Sequence, residues 1–173
     1  MRYISLFLLF KIIFLFSKPT FSQVDYELIC QEILKKTNEF RIGNGLKKLK
    51  QLDSLMEIAQ AHSENMVNYK FYSHIDHNGL DPVKRAENRG IKAWTRKGNM
   101  LLGISENIAK IPWFVNVTGC GDTRSIEAFS DCMVRGWINS PPHRKNILGD
   151  YTFIGVGLFF DKKGIGYGTQ NFR

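Results

Sequence analysis

The sequence of 173 residues predicts an α+β domain in which helices pack against an antiparallel sheet. Apolar residues recur at helical spacing in several segments before residue 139. The helical pattern of apolar residues then gives way to one typical of strands. Residues 152–160 and 165–172 are rich in β-branched and aromatic side chains. Helices followed by a terminal hairpin are typical of folds in which a helical layer covers a sheet.

Two long helices are predicted in the first part of the domain. The first runs from Asp25 to about Arg41, and the Gly-Asn-Gly sequence at residues 43–45 ends its apolar pattern. The second begins near the Ser-Leu-Met-Glu sequence at residues 54–57, which has the form of a capping box. His62 lies on the apolar face of this helix, so we interpret it as a core histidine.

Three further elements precede the terminal hairpin. Asp81 as a cap, followed by a proline, predicts a short helix that ends at Gly90. Residues 100–109 have the pattern of a strand or extended run, and their first apolar residues are predicted to pack in the core. Residues 125–138 predict a fourth helix, which ends at a break formed by the proline pair 141–142.

The terminal hairpin is predicted to turn at residues 161–164 (Asp-Lys-Lys-Gly). Its strands contain glycines at positions 155, 157, 166 and 168. Glycine inside a strand indicates either a close approach of another backbone or an exposed face that needs little bulk.

The first 22 residues have the pattern of a secretory signal peptide, with a charged start, a short apolar run and small residues before a cut at Gln23. An uncleaved membrane anchor is the second interpretation. Lys11 interrupts the run, which is shorter than the roughly 20 residues of a spanning helix. We therefore expect residues 23–173 to form one exported, extracellular domain.

The chain carries a net charge of +8. Without residues 1–22 it has 21 basic and 16 acidic side chains, a milder excess. Basic residues cluster at residues 35–36 and 47–50, and we interpret these clusters as solvated faces. Electrostatic contact with an anionic surface, such as lipid headgroups or cell-wall polymer, is the alternative. Base-reading side chains interleaved with aromatic residues are not apparent, so nucleic acid is not an expected partner.

Three cysteines in an exported chain cannot all pair with one another. Cys120 and Cys132 bracket a short stretch and are the predicted disulfide, which leaves Cys30 as a buried thiol. Pairing of Cys30 with either of the other two stays open. Asn116 begins an Asn-Val-Thr acceptor for glycosylation, which has meaning only in a eukaryotic host.

Four short segments occur in a fixed order along the chain. They are residues 71–74 (Phe-Tyr-Ser-His), 106–109 (Glu-Asn-Ile-Ala), 137–148 (Trp-Ile-Asn-Ser-Pro-Pro-His-Arg-Lys-Asn-Ile-Leu) and the hairpin 154–172. In this order they resemble the CAP superfamily, the SCP domain of cysteine-rich secretory, venom-antigen and pathogenesis-related proteins. Residues 55–63 and 82–85 fit the same pattern, and residues 137–148 are similar to the bacterial extracellular branch. The resemblance implies one α-β-α sandwich over residues 23–173.

The resemblance also implies a cleft. In that family the cleft holds two histidines and two glutamates, which bind a divalent metal in some members. His74, Glu106 and His143 match three of these positions, and Ser140 stands where the second glutamate is expected. Two imidazoles and one carboxylate can still ligate zinc with water, so we expect weak binding of zinc or another divalent ion, and no required cofactor.

Two functions are consistent with this cleft. The first is a non-enzymatic protein that binds a sterol, another lipid, a glycan or a protein partner. The alternative is a metal-dependent hydrolase that uses His74, Glu106 and His143. In it Glu106 accepts a proton through a bound water, with His143 as its partner. The sequence offers no nucleophile with a paired base and no His-Glu-x-x-His helix, which favours binding.

Each candidate side chain also has a purely structural interpretation. His74 can cap a turn and bond to Glu106, and His143 can fix the loop after the prolines. Phe71, Tyr72 and Trp113 are expected to be buried, with an apolar lipid groove as the alternative.

Overall fold

A computed structural model describes residues 25–173; the predicted signal peptide and its cleavage site lie outside the described residues. The described chain has five helices and six strands, which confirms the predicted α+β class. In chain order they are α1 (Tyr26–Gly43), β1 (Lys50–Gln51), α2 (Asp53–Asn68), α3 (Pro82–Glu87), β2 (Trp94–Lys97), β3 (Met100–Gly103), β4 (Ser105–Pro112), α4 (Ile126–Asn139), α5 (Pro141–Ile147), β5 (Phe153–Phe160) and β6 (Ile165–Phe172).

The main sheet has the strand order β1-β5-β6-β4. β6 pairs antiparallel with β5, as the predicted terminal hairpin requires, and also pairs antiparallel with β4 on its other side. Only the two-residue β1 runs parallel to its neighbour, β5. β2 and β3 form a separate two-stranded hairpin.

Glycines in the sheet let helices approach both faces closely. A Cβ atom on Gly155 or Gly157 would lie 2.1–2.2 Å from backbone atoms of α2. On β6, a Cβ on Gly166 or Gly168 would collide with Phe129 or Met133 of α4. The strand glycines therefore mark a close approach of neighbouring elements, which was the first of their two interpretations, and not an exposed face. With helices on both faces of the sheet, the domain is an α-β-α sandwich.

Two hydrophobic clusters fill the sandwich. The larger one joins α1 and α4 to the sheet, and its fully buried side chains include Ile29, Phe129, Trp137 and Phe172. The smaller one lies under α2 and α3 and includes Leu55. The indole of Trp137 donates a hydrogen bond to the Ile108 carbonyl (3.0 Å), so its polar atom is satisfied inside the core.

The predicted cap of α3, Asp81, is present, and the predicted capping box of α2 is wrong. The side chains of Asp25, Asp81 and Ser125 each accept a hydrogen bond from the first turn of their helix. The predicted capping box does not start α2, because Leu52 occupies the cap position. The Leu52 amide donates to Ile154 of β5, so the chain passes directly from the sheet into the helix, before Ser54.

Two predictions between residues 90 and 147 also need correction. The proline pair 141–142 does interrupt the helix, but it opens α5 rather than a loop, since proline suits the first helical turn. The run 100–109 forms two strands, and the side chains of Met100 and Leu101 are 63% and 56% exposed rather than in the core. They belong to the small β2–β3 hairpin, which has no third strand.

The cysteine predictions are confirmed. Cys120 and Cys132 form a disulfide with their Cα atoms 5.5 Å apart, and Cys30 is a free, buried thiol. Asn116 is exposed, and its glycosylation stays a prediction. None of the helices in the described part of the chain is long and apolar enough to cross a membrane.

Candidate functional site

The candidate site lies where three pieces of chain meet: β4, the segment that follows α2, and α5. Glu106 is near the start of β4 and faces Asn171 of β6 across the ladder. Residues directly opposite each other in a ladder project to the same face of the sheet. Thr169 lies two residues before Asn171 in β6 and therefore projects to this face as well. Its hydroxyl bonds to Ser63 of α2 (2.9 Å), so α2 covers the face that carries Glu106.

Glu106 is buried, and both of its carboxylate oxygens are occupied. Its side chain is only 1% exposed. One oxygen, Oε1, lies 3.0 Å from Nδ1 of His74. The other, Oε2, accepts a hydrogen bond from the guanidinium of Arg85 on α3. Glu106 is therefore held by a cation and an imidazole, which is the usual requirement for burying a carboxylate.

Arg85 also fixes the loop that carries His74. Its Nη1 atom donates to the carbonyl of His74 (2.7 Å) and to that of Leu80 (3.0 Å). One guanidinium thus ties α3, the His74 segment and β4 together. Sequence reasoning matched residue 85 to the family pattern but assigned it no role.

His62 is a second site member that the sequence did not assign to the site. It is completely buried, as predicted, but its Nε2 atom lies 3.7 Å from Glu106 and 3.0 Å from the Ser73 carbonyl. Burial lowers its pKa, and the attraction of Glu106 only partly opposes this shift. His62 is therefore a neutral imidazole beside a charged carboxylate.

The two histidines predicted to line the cleft lie near each other. The ring centroids of His74 and His143 are 6.5 Å apart, and the side chain of His74 is 47% exposed. Burial, followed by the proximity of His74, lowers the pKa of His143. No hydrogen bond joins His143 to Glu106 among the described residues. Ser140 lies at the junction of α4 and α5, and its hydroxyl does not cap α5.

Two asparagines attach α5 to the edge of the sheet. Asn107 is fully buried on β4, and its amide donates to the carbonyl of His143 (3.1 Å). Asn146 of α5 donates to the Glu106 carbonyl (3.1 Å) and to the Asn107 side chain (2.9 Å). These bonds explain why the Glu-Asn-Ile and His-Arg-x-Asn-Ile segments occur together: each supplies the other's partners.

Several buried polar atoms around Glu106 have no hydrogen-bond partner within the described chain. They are Nδ1 of His62, Nε of Arg85 and both amide atoms of Asn171. Buried polar atoms of this kind are where internal waters bind. The interior around Glu106 therefore contains further polar side chains in addition to the ion pair with Arg85.

The described side chains do not form a preassembled metal site. Within residues 25–173, no group of three or more histidine, cysteine, aspartate or glutamate side chains is placed to hold a metal ion. The Arg85 cation beside Glu106 would also repel a dication. Weak zinc binding by His74, Glu106 and His143 stays a prediction.

Comparison with known proteins gives one family. Residues 34–172 match the sequence profile of the cysteine-rich secretory protein family, CAP. Two Bacillus subtilis proteins are similar: the uncharacterised membrane protein YlbC, 34% identical over 82% of this chain, and the uncharacterised protein YkwD, 30% identical over 73%. The chain spans only 33% and 41% of the lengths of these two relatives.

Solved structures show the same fold. An outer surface protein from Borrelia burgdorferi has a TM-score of 0.66 at 17% identity, covering 86% of this chain and 94% of that protein. An extracellular protein containing an SCP domain from Bacillus anthracis has a TM-score of 0.64 at 24% identity, covering 85% of this chain and 40% of that protein.

Proposed function

The chain belongs to the cysteine-rich secretory protein (CAP) family, and from that premise we propose that it is an exported, non-enzymatic binding protein. Its binding surface is the rim of the cleft, where His74 and His143 reach solvent. Imidazole nitrogens there can hydrogen-bond to a polar ligand, such as a lipid headgroup, a glycan or a protein surface.

The observation that carries this proposal is the occupation of Glu106. A general base must be within hydrogen-bond reach of the proton it takes. Both oxygens of Glu106 already have partners inside the protein, and its side chain is 1% exposed. This favours a structural role for the carboxylate, and binding rather than hydrolysis for the cleft.

Export is the second part of the proposal. The disulfide Cys120–Cys132 suits an oxidising compartment, and one structural neighbour is named an extracellular protein. Expression of the full chain in a secreting host tests this part. We expect the protein in the medium with an intact mass that begins at Gln23. Retention of the whole chain in the membrane fraction would support the anchored alternative instead.

The binding function is tested with protein purified from that medium. Arrays of glycans and of lipids are probed with wild type, His74→Ala, His143→Ala and the control His77→Ala, an exposed histidine on the same loop. We expect one ligand class whose binding is lost in the first two variants and kept in the control.

The hydrolase alternative has its own measurement. Ester, amide and phosphoester substrates are incubated with wild type and Glu106→Gln, with and without added zinc. We expect no turnover by wild type. Turnover that disappears in a folded Glu106→Gln protein would overturn the binding proposal.

A further inference from the structure

A second recess opens at the C-terminal end of α2, separate from the histidine cleft. Its volume is about 670 Å³, and its lining comes from the end of α2, residues 70–72, β4 and the β5–β6 turn. This volume lies in the range of roughly 300–1,000 Å³ that is usual for ligand sites. Lys110 lies four residues along β4 from Glu106, so the recess is on the same sheet face as the cleft.

The recess is strongly basic. Its lining includes Lys70, Lys110, Lys162 and Lys163, all exposed, and one acidic residue, Asp161. Among the described residues, none of these lysines forms a salt bridge with a carboxylate. Asp161 uses one oxygen to accept hydrogen bonds from the amides of Lys163 and Ile165 in the turn. The lysine charges are thus not neutralised by carboxylates of the described chain and can pair with the anionic groups of a ligand.

Two tyrosines form an aromatic wall next to these charges. Tyr72 and Tyr167 meet edge to face, with ring centroids 6.4 Å apart. The ammonium group of Lys110 lies 4.6 Å from the Tyr72 centroid and 5.6 Å from that of Tyr167. Tyr72 is 44% exposed, and its hydroxyl is anchored to the Ile108 carbonyl (3.1 Å). Trp113 packs against Phe129 in the core instead, so it is no part of this wall.

We infer that this recess binds an acidic polysaccharide. Its sugar carboxylates would pair with the lysines, and its ring C–H groups would pack against the tyrosines. The recess is rich in donors, with four ammonium groups and the Tyr167 hydroxyl, which makes no hydrogen bond within the described chain. A polymer of acidic sugars is correspondingly rich in oxygen acceptors.

The chemistry of the recess argues against other polyanions. All four cations are lysines, whose point charges pair with carboxylates and phosphates alike, so the tyrosine wall, against which sugar rings can pack, is what favours a polysaccharide. A bilayer surface cannot enter a concave recess to reach its aromatic wall.

The test measures binding of polygalacturonate by calorimetry at low and high salt, with neutral dextran as the uncharged control. The protein is the full exported product. The recess variant is Lys110→Gln/Lys162→Gln/Lys163→Gln. The matched control is Lys47→Gln/Lys48→Gln/Lys50→Gln, which makes the same charge change at exposed lysines outside the recess. A second, charge-reversal variant, Lys162→Glu/Lys163→Glu, leaves unchanged the two tyrosines and Lys110, which lies against them.

We expect wild type to bind polygalacturonate but not dextran, with weaker binding at high salt. The recess variant should lose about 10-fold or more in affinity, whereas the control variant should lose no more than about 3-fold. The charge-reversal variant should lose affinity as the recess variant does.

Four outcomes would overturn the inference. They are no binding by wild type, equal losses in the recess and control variants, stronger binding to vesicles containing phosphatidylglycerol, or stronger binding to a single-stranded oligonucleotide. Because no cleft residue is altered, failure here leaves the proposed function of the histidine cleft intact.

Discussion

Arg85 and Glu106 form an ion pair that is almost completely shielded from solvent, with side chains 7% and 1% exposed. The attraction within such a pair is offset by the free energy of desolvation, because both charges have lost their hydration. Its clear effect is to connect α3 and β4 and, through the His74 carbonyl, to fix the loop that carries His74. The carboxylate that resembles a catalytic or metal-binding group is thus part of the scaffold.

Breaking this pair should destabilise the protein strongly. Either Arg85→Met or Glu106→Ala leaves one charge buried without its partner, which typically costs about 3–5 kcal/mol. Glu106→Gln should cost less than Glu106→Ala because it keeps the shape and a bond to His74. Urea unfolding of each variant gives the free energies.

The control for this prediction is Arg89→Met. Arg89 pairs with Glu57 at the surface, where the two side chains are 40% and 62% exposed. An exposed pair contributes about 0–1 kcal/mol. Similar losses in Arg85→Met and Arg89→Met would show that the inner pair is not the buried connection described above.

His62 should make the protein less stable in acid. Burial lowers its folded-state pKa, whereas the unfolded chain has the ordinary value of about 6.5. Its contribution is complete above about pH 6.5 and is lost as pH falls from there through the folded-state pKa, because only the unfolded state takes up the proton.

The measurement for His62 is its imidazole titration by NMR, together with unfolding free energies between pH 7 and 5. Replacement by glutamine should remove up to about 1.4 kcal/mol per pH unit of slope. His77→Gln, at an exposed histidine, controls for loss of an imidazole. A His62 resonance that titrates above pH 6.5 in the folded protein would contradict the prediction.

The order of helices and strands was predictable because local patterns encode it. Periodicity gave α1, α2 and α4, and the change of period gave β5 and β6. Cysteine spacing gave the disulfide. The boundary of α2 was missed because it is set by a hydrogen bond from Leu52 to the sheet, which no local signal records.

The site was predictable only in part. The family pattern identified His74, Glu106 and His143, and the first two are in contact. It did not indicate that Arg85, distant in sequence, would occupy the other oxygen of Glu106, or that His62 would lie against it. A histidine on an apolar helix face looks the same in sequence whether it faces leucines or a buried carboxylate.

The disulfide should contribute substantially to stability. It joins residues 12 apart in sequence, and a loop of this size corresponds to about 2–4 kcal/mol in the chain-entropy description. Cys120→Ala/Cys132→Ala should therefore lower the melting temperature clearly without changing ligand binding. A melting temperature equal to that of wild type would show that the bridge is dispensable.

The thiol of Cys30 should be unreactive at neutral pH, and its burial should lower the stability of the folded protein at high pH. Burial, with a smaller effect of Glu27, raises the pKa of Cys30 to about 12. The thiol therefore stays protonated in the folded protein while the unfolded chain ionises near pH 9, so stability should fall between about pH 9 and 12. Cys30→Ala should flatten that decline, and alkylation of Cys30 should require unfolding. Rapid alkylation of the native protein at pH 8 would contradict this.

Zinc titration distinguishes a metal site at His74, Glu106 and His143 from a cluster that has only a structural role. The carboxylate of Glu106 is held by Arg85, so we expect wild type to bind zinc weakly, and only while the imidazoles of His74 and His143 are neutral. Ser140→Glu should tighten binding, because it restores an anionic group at the position where the family has a second glutamate and gives the ion a carboxylate that no cation holds. Titration calorimetry of wild type, Ser140→Glu and Ser140→Glu/His143→Ala at neutral and acidic pH measures this.

Loss of binding in the double variant would place the ion between residues 140 and 143. Tight binding by wild type that is abolished by His143→Ala would instead show that Glu106 exchanges Arg85 for a metal, and it would revive the hydrolase alternative.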